Sequence, residues 1–442
     1  MASVNPGPAE PATAAVDEPD SSDTIAAAAT ASASADLLAN SLGDYLRIMG
    51  RRVRSGESGA LPVIIGLVAI VIFFQVKTSG LELSPRNLVN LMEQSAFVII
   101  LGMAEIFVLL LGDIDLAAGF TAACGAVVGL WMLALGDPWW LAVIVTLAVC
   151  AAYGALQGYI TAKLKLASFV VTLAGQLGLS GVLIWLIGQT GSIGNGGVIS
   201  LHETIINDIE GGQLTPGATW IVMIAIVVAA GAVLLYGDIR RRGAGLVAPP
   251  LSVTLLKVAA LIVAGIVVVI IANANRSNGV IPIEGMPWVV LVVLAVLFIW
   301  SVLLGRTRFG RYMYAIGGNA EAARRAGISI VRIRTLAFTL AGLTAGLAGI
   351  VAASQLGSVS SNVNGGQNVL NAVAAAVIGG TSLFGGRGKM MHALLGGLVV
   401  GVINNGLELL GMSTDYQLMW TAAVLLAAIL VDRLTRRSQT AT

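Results

Sequence analysis

Residues 310–328 read GRYMYAIGGNAEAARRAGI, a polar island between two apolar runs at 287–305 and 334–353. The second half of this stretch carries both signals that bound a short helix. Asn319 is a favoured N-cap residue, and Glu321 sits in the first turn, where a negative charge suits the helix dipole. Arg324 and Arg325 fall in the last turn, and Gly327 is the residue type that most often follows a C-terminus. Ala320, Ala322, Ala323 and Ala326 lie between the caps. At ~1.5 Å per residue such a helix is only ~10 Å long. Its small side chains would let it lie close against another surface. The residues alone leave two readings open: a solvated loop helix, or a knob that docks a partner at the membrane face.

The surrounding chain decides where that island sits. The chain has 442 residues, of which 57% are hydrophobic and 11% charged. Soluble domains carry about 25% charged residues. A deficit this large, with apolar runs near the ~20 residues that cross a bilayer, predicts an all-α polytopic membrane protein. The 54 glycines fit close helix packing in lipid. About twelve spans are expected, with cores at 61–76, 91–111, 115–135, 139–161, 168–188, 217–236, 252–272, 287–305, 334–353, 367–384, 392–411 and 417–432. The membrane domain is therefore 61–437. Residues 1–44 are rich in Ala, Pro, Ser and acids and read as a disordered tail without signal-peptide features. Residues 45–60 read as an interfacial helix with a basic flank, and 438–442 as a C-terminal tail. Cys124 and Cys150 both fall in apolar runs and read as buried thiols.

Charge gives the orientation. If the first span starts inside, then Lys163, Lys165, Arg240, Arg241, Arg242, Arg306, Arg308, Arg311, Arg324, Arg325, Arg332, Arg334, Arg387, Lys389, Arg433, Arg436 and Arg437 all fall inside. The outside keeps Lys77, Arg86 and Arg276, and the loops 189–216, 354–366 and 412–416 hold no Lys or Arg. By the positive-inside rule both termini, and the 310–328 stretch with them, are cytoplasmic. The longest outer loop, 189–216, carries His202, Glu203, Asp208 and Glu210 after a Gly-rich start. It reads either as a connector or as part of a rim that meets an external protein.

Two other stretches interrupt the apolar pattern. Leu109–Gly119 reads LLLGDIDLAAG, with no Lys or Arg from 87 to 162 to offset Asp113 and Asp115. Charges at membrane depth are costly and usually face a cavity. Residues 112–119 are either a hydrated cytoplasmic turn or a broken, re-entrant helix beside a pathway. Glu105 is a further acid inside the second span and needs a partner or a wet cavity. Ala376–Gly388, AVIGGTSLFGGRG, is a second interruption, with 379–388 as its irregular part. Gly-interrupted segments in two halves of a chain point to a transport site. Neither this stretch nor any other has Walker spacing, so ATP hydrolysis would need another subunit. Thr172 and Gln176 share a helix face. Asn404 and Asn405 sit in the eleventh span. Buried Thr, Gln and Asn either join helices or meet a hydroxylated substrate. No catalytic triad, metal cluster or nucleic-acid surface stands out.

The run YAIGGN, then EAA and Gly-Ile, resembles the coupling segment of bacterial monosaccharide ABC importer permeases, the ribose, galactose and xylose group. The matching residues are Gly310, Tyr314, Gly317, Gly318, Asn319, Glu321, Ala322, Ala323, Gly327 and Ile328. Ile114-Asp115-Leu116, Ser168-Phe-Val-Val-Thr172-Leu173 and Ile403-Asn404-Asn405-Gly406-Leu407 are similar to further family segments. Ala117, Ala118 and Ala167 depart from the pattern, as does Lys389 to His392. The extra span pair, 217–272, looks like an insert of the xylose-type branch. The resemblance implies a permease of a monosaccharide importer, xylose or a related sugar, working as a homodimer in the bacterial plasma membrane. It implies a partner ABC ATPase, of the tandem kind, which binds ATP and Mg; this chain itself would hold no cofactor. It also implies an extracytoplasmic sugar-binding protein. Gly317, Gly318, Asn319, Glu321, Ala322, Ala323 and Gly327 would meet the ATPase. Asp113, Asp115, Gly119, Thr172, Gln176, Thr381, Asn404 and Asn405 are the pathway candidates. The rival is a proton-coupled sugar transporter using Asp113, Asp115 or Glu105. An intramembrane enzyme is a third class, for which no nucleophile and base pair is present.

Overall fold

In lipid no water is at hand to satisfy backbone N–H and C=O groups, so helices that bond internally are the economical solution. The computed structural model obeys this constraint. It describes residues 61–189, 198–201, 204–245, 250–277, 282–413 and 415–420, with positions 43, 47, 422, 423 and 426 besides. The helices are α1 (Leu61–Lys77), α2 (Pro85–Leu109), α3 (Ala118–Ala134), α4 (Trp139–Leu164), α5 (Ser168–Gln189), α6 (Thr204–Gly211), α7 (Pro216–Gly243), α8 (Leu251–Asn273), α9 (Trp288–Arg306), α10 (Arg308–Gly318), α11 (Ala320–Arg325), α12 (Ile330–Leu356), α13 (Gly365–Ile378) and α14 (Met390–Leu409). Strands β1 (Val198–Ser200) and β2 (Ser358–Ser360) pair antiparallel.

Eleven of the twelve expected runs coincide with helices. The twelfth, 417–432, lies largely outside the described residues, as do the tails 1–44 and 438–442 and the 45–60 segment. Eight helices are long and apolar enough to cross a membrane, while α1, α3 and α13 are shorter. The protein is thus an all-α polytopic membrane protein. Two boundaries differ from expectation. The second run begins at Pro85, because the Ser84 side chain caps the Asn87 N–H and proline suits the first turn. The 367–384 run stops at Ile378, because Gly380, Gly385 and Gly386 adopt positive φ and turn the chain.

Two compact units divide the chain. One comprises 1–52 and 230–260. Within it the Thr254 hydroxyl donates to the Asp238 carboxylate, joining the end of α7 to the start of α8. The other comprises 53–229 and 261–442 and contains everything discussed below.

In this second unit, α12 packs on α4, α2 and α3. Lipid tails are as apolar as leucine, so close van der Waals contact has to drive helix association. Glycine supplies it. A side chain on Gly154 would strike the Phe338 carbonyl, one on Gly342 the Cys150 carbonyl, and one on Gly349 the Ala122 carbonyl. Gly346 meets the Cys150 side chain. The two cysteines are free and buried, as their sequence context suggests. α2 is buried along most of its length, and Phe107 meets Trp300 edge to face with ring centres 5.4 Å apart. At one end of α2, Asn87 Nδ2 donates to Asn405 Oδ1 at 2.8 Å, and Asn405 Nδ2 donates to Gln94 Oε1 at 3.3 Å.

The described residues of the 189–216 loop are not all irregular. It includes β1 and α6, and the Ser354 hydroxyl of α12 donates to the Asn207 carbonyl at 3.0 Å. Ser200 stands opposite Ser358 on the β1–β2 ribbon. Single cysteines at these two positions, with Cys124 and Cys150 replaced, should both react with an impermeant thiol reagent from outside intact cells. Reaction only in inverted vesicles would reverse the orientation. Separately, Gly342→Leu should lower the thermal midpoint of the purified permease, because overpacking a tight contact costs about 1–3 kcal/mol. An unchanged midpoint would mean that α4 and α12 can separate freely.

Candidate coupling face and pathway residues

The polar island folds as two helices, α10 and α11. Thr307 caps α10 by accepting from the Gly310 N–H at 3.3 Å. Asn319 ends α10 and opens α11, its Oδ1 accepting from the Ala322 N–H at 2.9 Å. The C-terminus of α11 closes through two bonds, Gly327 N–H to the Arg324 carbonyl and Ile328 N–H to the Ala323 carbonyl, both 3.0 Å. This pair is the Schellman pattern, and it needs the φ of +82° that Gly327 adopts. Glu321 accepts from Arg324 Nε at 2.9 Å and Nη2 at 2.7 Å, and from Arg325 Nε at 3.2 Å. Hydrogen bonds from Arg324 and then Arg325 hold its carboxyl down to about 2. Ala323 alone of the helix turns inward; Ala320, Glu321, Ala322, Arg324 and Arg325 are exposed.

Backbone contacts fix this segment to the bundle. Gly317 lies so close to the Leu110 carbonyl and the Gly386 nitrogen that a side chain there would overlap both. The Gly386 N–H donates to the same Leu110 carbonyl at 2.9 Å. The Tyr314 hydroxyl donates to the Gly388 carbonyl at 2.7 Å. Gly112, at φ +76°, abuts Phe384 and Gly385. The irregular stretches 110–117 and 379–389 therefore share one knot with the end of α10 at Gly317. Gly318, next to Gly317, has open space around it.

The Asp-Ile-Asp motif sits in this knot, between α2 and α3. Asp113 is buried and forms an ion pair with Arg334 of α12, Oδ2 to Nε 2.7 Å. Burial pushes the Asp113 carboxyl up against the opposing pull of Arg334. Asp115 Oδ1 accepts from the Ala117 N–H at 3.0 Å, at the start of α3. The Ile114 backbone is held on both sides by α5. Its N–H donates to the Ser168 hydroxyl at 3.2 Å, and the Thr172 hydroxyl donates to its carbonyl at 3.1 Å.

The remaining candidates do not converge on one point. Gly119 lies against the Gly365 backbone at the start of α13, and the Gln176 amide lies beside Gly366. Thr381 Oγ1 is 3.2 Å from His392 Nδ1. Asn405 joins α14 to α2, with Asn404 half-buried beside it. Glu105 is fully buried, and its carboxylate oxygens find no hydrogen-bond partner among the described residues. Sequence reasoning missed Arg334 as a partner for Asp113. Its signal was an arginine at the first position of the 334–353 run, where a charge at the edge of the apolar layer gains from a counter-charge.

Similarity to known proteins fits this arrangement. Residues 87–429 match the family model described as branched-chain amino acid transport system / permease component. The chain belongs to that family. Its members are transport permeases, so the protein is a transport subunit and not an enzyme, set in the bacterial plasma membrane as a multi-pass protein. The xylose transport system permease protein XylH of Escherichia coli K12 is 35% identical over 379 residues, covering 85% of this chain and 92% of the relative. XylH of Haemophilus influenzae is 34% identical over 381 residues, with 84% and 95% covered. The ribose import permease protein RbsC of E. coli K12 is 31% identical over 376 residues, with 83% and 92% covered. No solved structure gives a significant match.

The permease's two adjacent glycines make a contrast that can be measured. Gly317→Val should lower thermal stability by about 1–3 kcal/mol, the usual cost of forcing bulk into a filled contact. Gly318→Ala should stay within about 0.5 kcal/mol, as surface changes do. Equal stabilities in a detergent melting assay would show that the knot is not closed at Gly317.

Proposed function

We propose that this permease is the membrane subunit of an ATP-binding-cassette importer for a monosaccharide, with xylose or a related pentose as substrate. The observation that carries the reading is α11: a doubly capped helix whose exposed face is Ala320, Glu321, Ala322, Arg324 and Arg325. The names of the relatives, xylose transport and ribose import permeases, support the substrate class. ATP and Mg bind a separate ATPase of the tandem kind, which α11 docks with Gly317, Gly318, Asn319 and Gly327 as its frame. A second copy of the permease completes the pathway, and an extracytoplasmic sugar-binding protein delivers the substrate. About twelve spans with both ends cytoplasmic put α11 on the ATPase side, in line with the cations that flank it. Gln176, Asp115 and Gly119 are the pathway residues this reading favours. Thr172 and Asn405 act in joining helices, since their side chains are engaged in bonds between them.

The proton-coupled alternative loses one of its carriers to the ion pair of Asp113 with Arg334. It makes a different prediction: uptake stops with an uncoupler while cellular ATP stays high.

Glu321→Arg places a cation at the positive, N-terminal end of α11 and removes the acceptor shared by Arg324 and Arg325 in its last turn. The variant should insert in the membrane normally. It should fail to co-purify with the ATPase, or lose the rise in ATP hydrolysis on addition of sugar-loaded binding protein to the reconstituted complex. Parental stimulation in this variant would return α11 to an ordinary loop helix.

A further inference from the structure

The Asp113–Arg334 ion pair joins two regions that the backbone separates widely. Arg334 lies one turn into α12, directly after the Schellman close of α11 and the Ser329 that begins α12. The short turn 326–329 joins it to α11. Asp113 lies in the turn between α2 and α3, and the next residue, Ile114, is gripped by Ser168 and Thr172 at the start of α5. Its side chain is 8% exposed and that of Arg334 21%. No Lys or Arg occurs from 87 to 162 to replace the arginine locally.

The rest of the knot is made of backbone contacts that do not depend on this pair. Gly317 rests on Leu110, and Gly386 donates to Leu110. Such contacts set where α10 sits. A charged pair adds a further link, because separating it leaves a buried charge uncompensated. We propose that Asp113 and Arg334 are positioning residues that transmit a displacement of α11 to the α2–α3 turn and, through Ser168 and Thr172, to the inner end of α5. The inference rests on the reading of α11 as the ATPase-docking helix. It assigns the first aspartate of the Asp-Ile-Asp motif to coupling and leaves the pathway to Asp115 and its neighbours. Neither residue belongs to the exposed face of α11, so docking and transmission are separable.

The test uses the full permease reconstituted in proteoliposomes with its ATPase and binding protein. Asp113→Asn, Arg334→Gln, the double variant and Asp113→Glu are compared. Co-purification of the ATPase reports docking. The ratio of ATP hydrolysis with and without sugar-loaded binding protein, and sugar uptake per docked complex, report transmission. Both single variants should retain the ATPase while stimulated hydrolysis and uptake fall about tenfold, within the range of a typical coupling free energy between sites. The double variant should be no worse than either single one, since a shared interaction can be lost only once. Asp113→Glu, which keeps the charge, should recover much of the stimulation and covers the case in which the neutral variants insert poorly. Loss of ATPase binding together with stimulation would overturn the transmission role and point to a damaged docking surface. Parental ratios in the single variants, or losses that multiply in the double variant, would overturn it as well. If α11 does not dock the ATPase at all, Glu321→Arg will couple normally; that failure is distinct from parental coupling in the Asp113 and Arg334 variants.

Discussion

A backbone carbonyl that leaves its helix inside a membrane protein must find a donor, and the Leu110 carbonyl shows how this chain answers. α2 stops at Leu109, where the chain must turn. The freed carbonyl of Leu110 is met by the Gly386 N–H from another irregular stretch. That bond is possible only because Gly317, Gly385 and Gly386 carry no side chains at the point of approach. The interruption at 110–117 and the one at 379–389 are thus two halves of one solution. The α10 segment closes over them, with the Tyr314 hydroxyl taking up the Gly388 carbonyl.

The same requirement separates what was readable in the sequence from what was not. Spans announce themselves because an apolar run of sufficient length has one fate in lipid. The caps of α11 are local chemistry, and Asn319, Glu321 and Gly327 occupy the positions their side chains suit. The fate of Asp113 was not local. Its turn offers no cation for many residues either way, and the partner comes from α12. The break after Ile378 was legible in part, since the glycines of 379–388 announce an interruption. The packing of Gly379 on the His392 carbonyl was not legible, because that contact is made with α14. A sequence displays hydrophobic length and capping; it does not display which carbonyl needs which donor.

The polar residues chosen as pathway candidates divide along the same line. Thr172 and Asn405 are buried; Thr172 bonds the α2–α3 turn and Asn405 bonds α2. Such residues stabilise a bundle where apolar burial gives little advantage. Gln176, beside Gly366, is only half-buried. A polar amide without full enclosure retains capacity for a hydroxylated solute. Gly119, against Gly365, brings the starts of the two shorter helices α3 and α13 together. Short helices whose first turns meet inside the bundle are the arrangement through which transporters present backbone donors to a substrate.

Within four residues, the Gly112-Asp113-Ile114-Asp115 motif then carries four different duties. Gly112 takes a φ of +76° against Phe384, which a β-branched residue would resist. Asp113 holds Arg334. Ile114 lends its backbone to Ser168 and Thr172. Asp115 turns back to satisfy the Ala117 N–H at the uncapped start of α3. Each duty binds the turn to a different helix: α13's continuation, α12, α5 and α3. A turn held from four sides cannot shift relative to one neighbour without disturbing the rest. Asp113 and Ile114 thus tie the turn to α12 and α5, while Asp115 stays the pathway candidate of the motif.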